Sequence, residues 1–467
     1  MTPAPTAPRP AGGRMRELRA MLALAWPLAL TNLSQIALLL TDTLYLGRLG
    51  EVPLAAATLG GNLYFITLSL PFGLAFAATA MLAQEKGHVR HHVREMRRTF
   101  RQALWLGVLG FVPIGLLLWH GGAILLASGQ EPALAQEAER FLRAILWGVL
   151  PFYGFMLLRG FLSALQRPQM ALWVSLAAIG LNALLGYVFI AGGFGAPQLG
   201  TLGAGLSSAG SNLFMCVALA VLMSRDRRIA RFRLAGRFWR TDLRRMPEIV
   251  RVGLPITGTM LLEIGVFSGT ALVMGWFGST AVAAHAVALQ VASATFMVPM
   301  GISQAATARV GLAAGAMDRG GAQLAGWTAI GISVAFMAAT AVMLLAVPGT
   351  IAALFLPPEL APTRELAALL LMVAGMFQLA DGVQATAAGA LRGLKDTRMP
   401  LLFAALGYWG LGLPFGLLMG FSAEMGPVGV WFGLAAGLAV VAVLMTLRWR
   451  RMSALPPEQL AARALAA

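Results

Sequence analysis

Three carboxylic acids lie inside long apolar stretches of this chain, at Asp42, Glu263 and Asp381. A charged side chain at the centre of a bilayer costs about 2.5–3.5 kcal/mol even on the most lenient scale, so such residues mark functional sites by default. Carboxylate oxygens can bind either a proton or a hard cation. We therefore take the three acids as candidate cation-binding and coupling residues.

Other polar side chains accompany these acids at helical spacing. Gln35 and Tyr45 lie 7 and 3 residues from Asp42, which places them within about 60° of it on an α-helix. This face should contact protein or water rather than lipid. The candidate cavity residues are Asn182, Gln35, Tyr45, Gln378 and Gln384, with the aromatic side chains Phe377 and Phe267.

A purely structural interpretation competes with this one. A buried acid can simply accept hydrogen bonds from a neighbouring helix, and Asn182 can equally join two helices or line a cavity. No Lys or Arg in the spans that carry the acids is expected to be a buried salt-bridge partner. That expectation favours the functional interpretation.

The elements that carry these residues are predicted to be membrane helices. The chain has 467 residues, of which 58% are hydrophobic and 12% charged, against about 25% charged in soluble domains. Apolar runs of about 20 residues predict twelve spans. They lie at 21–47, 53–83, 100–126, 138–164, 170–192, 202–223, 247–276, 281–311, 322–346, 365–391, 399–421 and 427–447.

The two halves of the chain are copies of each other. Residues 27–87 align without a gap to residues 255–315, and 17 of the 61 pairs are identical. Six helices separate the copies, so both enter the membrane in the same direction. The predicted fold is an all-α polytopic membrane protein of two six-helix bundles, related by a pseudo-twofold axis along the membrane normal.

The basic residues lie mainly on one side of the predicted membrane. Of 35 Lys and Arg residues, 31 fall in the tails, in the even-to-odd connections or toward the adjoining ends of the spans, and four toward the other side: Arg48, Arg140, Arg143 and Arg364. This asymmetry predicts cytoplasmic N- and C-termini. We expect a disordered tail at 1–20, an N-lobe at 21–224, a basic linker at 225–246, a C-lobe at 247–447 and a second tail at 448–467.

In these residues the sequence resembles the multidrug and toxic compound extrusion family, in its NorM-type branch. The resemblance covers nearly all twelve spans. The matching pieces are Trp26-Pro27, Asp42-Thr43, Gly47-Arg48-Leu49-Gly50, Leu54-Ala55-Ala56, Leu262-Glu263, Ala283-Ala284-His285, Asp381-Gly382-Val383-Gln384 and Gly389-Ala390-Leu391-Arg392-Gly393.

The resemblance implies two lobes in a V and export of drugs in exchange for Na⁺ or H⁺. It also implies that Glu263 and Asp381 help to form a cation site in the C-lobe, while Asp42 with Asn182 serves the N-lobe. Phe377 and Gly186 stand where sodium-type members often have Tyr and Asn. The loss of these oxygen ligands favours H⁺, although Na⁺ can still be bound at Glu263 and Asp381.

The function that we expect is secondary active efflux of lipophilic organic cations by alternating access. The main alternative is a flippase for lipid-linked oligosaccharides or other lipids, whose phosphates would require Arg or Lys in the cavity. The spans lack His/Glu metal spacing and Ser/His/Asp sets, so we expect neither an enzyme nor a cofactor.

We expect the partners to be cationic drugs or dyes and the lipid bilayer. The net charge of +16 is explained by topology and requires no nucleic acid. The predicted location is the bacterial cytoplasmic (inner) membrane, where the chain would be a multi-pass monomer.

Overall fold

The computed structural model describes residues 12–88, 92–234, 236, 239–456 and 459. In this part of the chain all regular structure is helical. Twelve helices are long and apolar enough to cross a membrane, as predicted. They are α1 Gly13–Gly47, α2 Glu51–Gly87, α3 His92–Trp119, α4 Pro132–Ala164, α5 Gln169–Phe189, α6 Thr201–Arg225, α7 Met246–Trp276, α8 Ser279–Gly315, α9 Arg319–Ala346, α10 Pro358–Gly393, α11 Arg398–Ser422 and α12 Gly426–Ser453.

Several helices are longer than the apolar runs that predicted them. The expected tail at 1–20 is wrong for its second half, because α1 already begins near residue 13. The expected tail at 448–467 likewise starts inside α12, which continues to Ser453. Hydropathy detects the part of a helix in lipid, whereas Arg-rich turns continue the same helix into the aqueous phase. Residues 1–11 and 460–467 lie outside the described residues.

Helices α1–α6 form the N-lobe and α7–α12 the C-lobe. Because each lobe has an even number of helices, α1 begins and α12 ends on the same side, which we call the terminal side, and the opposite side the far side. The connection between the lobes contains a short helix, Arg227–Ala230, and is fastened to α3. Arg98 pairs with Asp242, and the guanidinium lowers the pKa of that carboxyl.

The lobes cross at equivalent glycines. A Cβ on Gly301 would lie 2.7 Å from the Ala29 Cα, and one on Gly73 would lie 2.7 Å from the Gly253 carbonyl oxygen. Gly73 and Gly301 occupy the same repeat position, 228 residues apart. Only glycine permits such a close approach of two helix backbones.

Each lobe also contributes part of its first helix to the core of the other. The terminal half of α1, including Met21 and Leu28, packs in the C-lobe core. Reciprocally, Ile249 and Val252 of α7 pack in the N-lobe core. The duplicated sequence thus produces the same kind of inter-lobe packing twice, once from each lobe.

Contacts between the lobes are concentrated toward the terminal side. The Gln84 amide donates to the Gly393 carbonyl oxygen at 2.8 Å. Two ion pairs join the lobes at the same level, Glu17 with Arg309 and Arg245 with Glu85. The other inter-lobe hydrogen bonds of the described residues, such as Thr257 to the Ser69 carbonyl oxygen and Gln304 to Asn32, also lie in the terminal half or near the middle of the helices. The structure is therefore closed between the lobes on the terminal side.

Candidate functional site

The N-lobe acid is enclosed by three helices. Asp42 of α1 is 5% exposed. One of its carboxylate oxygens accepts a hydrogen bond from the Asn182 amide of α5 at 3.2 Å, and the other accepts one from the Ser208 hydroxyl of α6. The Asn182 amide also lies 3.0 Å from the Ser207 hydroxyl oxygen. Asp42 and Asn182 are therefore brought together, and every oxygen of this carboxylate has a donor.

Sequence reasoning missed the two serines of this cluster. Ser207 and Ser208 are adjacent in α6, and Ser207 is fully buried. Serine is common in membrane helices, where it bonds to neighbouring backbone. Only the adjacency of two serines within an otherwise apolar span could have signalled them.

The other two candidate residues of α1 face α5 and α6 rather than lipid. The Tyr45 hydroxyl donates to the Ala183 carbonyl oxygen at 3.2 Å. The Gln35 amide lies 3.7 Å from the Met215 sulfur. Gly186 makes room for Tyr45, because a Cβ there would lie 2.8 Å from the tyrosine ring. The glycine that removes a candidate oxygen ligand thus has a packing role.

The C-lobe acids form a different kind of cluster. Asp381 of α10 is 7% exposed, and its charge interacts with that of Glu263 on α7, which is half-buried. Both charges also act on the buried Tyr408 hydroxyl of α11. Tyr408 lies in a π-helical stretch, Ala405–Gly412, an irregularity that often marks functional sites.

Polar atoms around the C-lobe acids lack partners. The Tyr408 hydroxyl and the Gln384 carbonyl oxygen are buried near each other, but neither makes a hydrogen bond of normal geometry in the described part of the chain. Unsatisfied buried polar atoms cost about 1–3 kcal/mol each and are rare without a functional reason. Each cluster holds a buried oxygen without a partner among the described residues, Asn182 Oδ1 in the N-lobe and Gln384 Oε1 in the C-lobe. The clusters differ in their acids, because Asp42 accepts two hydrogen bonds, whereas Asp381 and Glu263 accept none in the described part of the chain.

The remaining C-lobe candidates contact neighbouring side chains around the acids. The Gln378 amide donates to the Thr295 hydroxyl at 2.8 Å. The Phe377 ring lies 5.9 Å from that of Trp431, whose indole N–H donates to His285 at 3.1 Å. Phe267 packs against the C-lobe core. The structure thus places Phe377, Gln378 and Phe267 in the packing around the acids.

A basic residue at the end of one acid-bearing helix acts on an acid, although no ion pair joins the two in the described part of the chain. Arg392 of α10 is half-buried, and its charge acts on Glu263. Its guanidinium also lies 4.9 Å from the centre of the Phe76 ring in the N-lobe, and its Nη1 has no hydrogen-bond partner among the described residues. At the end of a helix an arginine resembles a topology signal, which is why the sequence alone did not reveal this interaction.

A second arginine is buried at the closed end. Arg159 of α4 is 4% exposed and donates to the Asn32 side-chain oxygen at 3.1 Å. Within the described part of the chain, no cluster of three or more His, Cys, Asp or Glu residues could hold a metal ion.

The comparisons with known families agree with this architecture. A family model described as MatE matches residues 27–188 and 255–418, two segments whose starts differ by 228 residues. They reproduce the duplication found in the sequence.

Relatives of similar length carry multidrug resistance names. The chain is 47% identical over 445 residues to the probable multidrug resistance protein NorM of Mesorhizobium japonicum, covering 95% of each chain. It is 40% identical over 431 residues to the multidrug resistance protein NorM of Burkholderia vietnamiensis, covering 91% of this chain and 92% of the relative.

Solved structures share the fold. The eukaryotic MATE transporter AtDTX14 has a TM-score of 0.83 at 22% identity, covering 96% of this chain and all of the other. A multidrug resistance MATE family transporter of the MOP superfamily, in an outward-facing conformation, also has a TM-score of 0.83, at 20% identity and with 94% of this chain and 96% of the other covered.

Proposed function

We propose, from the premise that this chain belongs to the MatE family, that it is an efflux transporter exporting lipophilic organic cations in antiport with H⁺ or Na⁺. Multidrug export is the activity that the names of its relatives indicate. The coupling to a cation is our own inference from the acidic residues in the two lobes. The observation that carries it is the C-lobe cluster, in which two interacting carboxylates are surrounded by unsatisfied polar atoms.

The C-lobe acids are suited to bind the coupling ion. Asp381 and Glu263 are close enough for their charges to interact, so a proton or Na⁺ that neutralises one relieves repulsion from the other. The cationic drug would be attracted by the same negative charges. Ion and drug would then exclude each other electrostatically, as antiport requires.

Arg392 gives the ion site a physical link to the N-lobe. Its guanidinium lies against the Phe76 ring of the N-lobe, and its charge also acts on Glu263, with which it forms no ion pair in the described part of the chain. When a cation loads Glu263, the attraction on Arg392 falls, and the arginine is freer to change its contact with the other lobe. A ligand can drive alternating access only by binding the two conformations with different affinity, and this contact would supply such a difference.

H⁺ is our first choice for the coupling ion. Phe377 packs on Trp431 and offers no oxygen ligand. Gly186 has no side-chain oxygen either, and the space beside it is occupied by the Tyr45 ring. A proton needs one carboxylate, whereas Na⁺ takes several oxygen ligands. Dye efflux from proteoliposomes under a pH gradient alone, then under a Na⁺ gradient alone, decides between them.

We also propose that the terminal side is cytoplasmic, that the protein lies in the bacterial inner membrane and that it works as a monomer. The 31 basic residues assigned to that side support the orientation. The structure would then be closed on the cytoplasmic side. Labelling of Cys variants in the Arg227–Ala230 connection from inside or outside intact cells tests this directly.

The decisive variant is Asp381→Asn, which keeps the shape of the side chain and removes its charge. Gradient-driven dye efflux should fall at least a hundredfold, with normal insertion and no fall in the melting temperature. The matched control is Glu365→Gln, an exposed acid on the same helix, which should transport normally. Full activity of Asp381→Asn would refute the coupling role. Competition by anionic lipid-linked sugars instead of cationic dyes would refute the substrate class and favour the flippase.

A further inference from the structure

A long groove runs along the outside of the seam between the lobes. Its volume is about 790 Å³, and it is walled by the start of α1 in the N-lobe and by one face of α9 in the C-lobe. It begins beside Arg14 at the terminal side and extends along α9 to Ala335. We call it the α1/α9 groove. None of the three candidate acids, Asp42, Glu263 and Asp381, lines it.

Like a phospholipid, the groove is charged at one end and mainly apolar along the rest of its length. Its charged group is Arg14, at the terminal end, while the walls farther along are apolar or small, including Leu324, Gly331 and Ile332. From Gly320 to Ala335 the helix rises about 22 Å. Half of a bilayer with its headgroups measures about 20–22 Å, so the groove spans one leaflet.

Arg14 is available for a headgroup. It is exposed and has no hydrogen-bond or ion-pair partner in the described part of the chain. The acid one turn later, Glu17, is occupied by Arg309 of the C-lobe. The charge of Arg14 therefore faces the groove mouth without compensation.

We propose that the α1/α9 groove binds an anionic phospholipid from the leaflet on the terminal side. The phosphate and headgroup would pair with Arg14, and an acyl chain would lie along α9 over Gly331. Trp327 is 42% exposed and lines the groove, where its amphipathic ring suits the headgroup boundary. A cationic drug is a poor occupant, because the positive charge of Arg14 would repel it.

The position of the groove gives the lipid a role. Its two walls belong to different lobes, and those lobes touch on the terminal side in this structure. A lipid that contacts both walls stabilises this closed terminal side. It would therefore favour the conformer that is open on the far side.

Native mass spectrometry of the full chain tests the binding. We expect phosphatidylglycerol to be retained about fivefold more than phosphatidylcholine of the same acyl chains, since one basic residue near the surface contributes about that factor. Arg14→Gln should abolish the preference. Arg19→Gln, an exposed arginine on the same helix that does not line the groove, should keep it. Equal behaviour of the two variants would overturn the proposal.

A second pair of variants tests the acyl path. Gly331 faces open space, since a Cβ there would meet no atom within 4 Å, and the same holds for the exposed Gly180 on α5. Gly331→Phe should fill the groove and reduce lipid retention severalfold, whereas Gly180→Phe should not. Equal retention by both would overturn the proposal. Deletion of residues 2–11 should leave retention unchanged, and a severalfold rise would show that this segment is the occupant instead.

The conformational role has its own readout. Glu51 and Ser279 hold the same repeat position at the far side. Spin labels on cysteines placed there, with Cys216→Ala, report the opening between the lobes. Phosphatidylglycerol should increase the population with the longer distance in the parent protein and not in Arg14→Gln. Selective binding without this shift would overturn the bridging role.

Discussion

The two lobes descend from one repeat, yet their acids have opposite environments. Asp42 in the N-lobe has a donor for each carboxylate oxygen. In the C-lobe, Asp381 and Glu263 interact with each other while the Tyr408 hydroxyl and a Gln384 oxygen make no hydrogen bond of normal geometry among the described residues. A carboxylate with two donors is held in place, whereas carboxylates without donors can accept a ligand. We propose from this comparison that ion exchange takes place in the C-lobe and that Asp42 has a positioning role.

The largest expected effect comes from neutralising both C-lobe acids at once. Glu263→Gln with Asp381→Asn should abolish gradient-driven efflux and raise thermal stability, because two interacting buried charges are removed. Dye efflux and the melting temperature in detergent measure the two effects. A destabilised double variant would mean that these charges are structural, like the one in the N-lobe.

Neutralising the N-lobe acid should give the opposite combination. Asp42→Asn leaves a single acceptor for donors from Asn182 and Ser208, so one donor faces an NH₂ group. We expect a loss of about 1–3 kcal/mol in unfolding free energy, with part of the efflux retained. Ser224→Ala is a suitable control, since Ser224 is an exposed residue of the same helix as Ser208. An unchanged melting temperature would remove the distinction between the lobes.

The terminal-side ion pairs sharpen the comparison, because the repeats carry opposite charges there. Glu17 and Arg245 are 228 residues apart, and each pairs with the other lobe, Glu17 with Arg309 and Arg245 with Glu85. Arg309→Glu should weaken the closed terminal side by about 1–3 kcal/mol, because a charge-assisted hydrogen bond is lost. The thiol accessibility of cysteines at this seam should rise accordingly.

The compensating reversal makes this test specific. Glu17→Arg combined with Arg309→Glu should restore protection from thiol reagents. Arg140→Glu breaks a pair with Glu137 inside α4 on the far side and should leave the seam unchanged. Failure of the double variant to recover would mean that the pair does not hold the lobes together.

Much of the fold was predictable, because hydropathy and the repeat are properties of the chain alone. The twelve helices and the parallel relation of the lobes followed from them, and the family resemblance implied that Asp42 and Asn182 serve the N-lobe together. The effect of the Arg392 charge on Glu263 was not expected, since an arginine near a helix end is indistinguishable from a topology signal. The closed terminal side was also beyond the sequence. A gap-free repeat is compatible with either conformer, whereas the packing around Gly73 and Gly301 and the ion pairs of the terminal side belong to one.

The smallest expected effect concerns the Tyr408 hydroxyl of the C-lobe cluster, which differs from the Tyr45 hydroxyl of the N-lobe in its hydrogen bonding. Tyr408 is 2% exposed, and its hydroxyl makes no hydrogen bond of normal geometry in the described part of the chain, so Tyr408→Phe removes an unsatisfied group and should keep or slightly raise the melting temperature. If that hydroxyl helps to hold the coupling ion, the ion concentration for half-maximal efflux should rise about three- to tenfold, while the maximal rate changes little. Tyr45→Phe is the matched control in the N-lobe, because its hydroxyl is already bonded to Ala183. It should lower stability and leave the ion dependence unchanged. The reverse pattern would place the ion in the N-lobe.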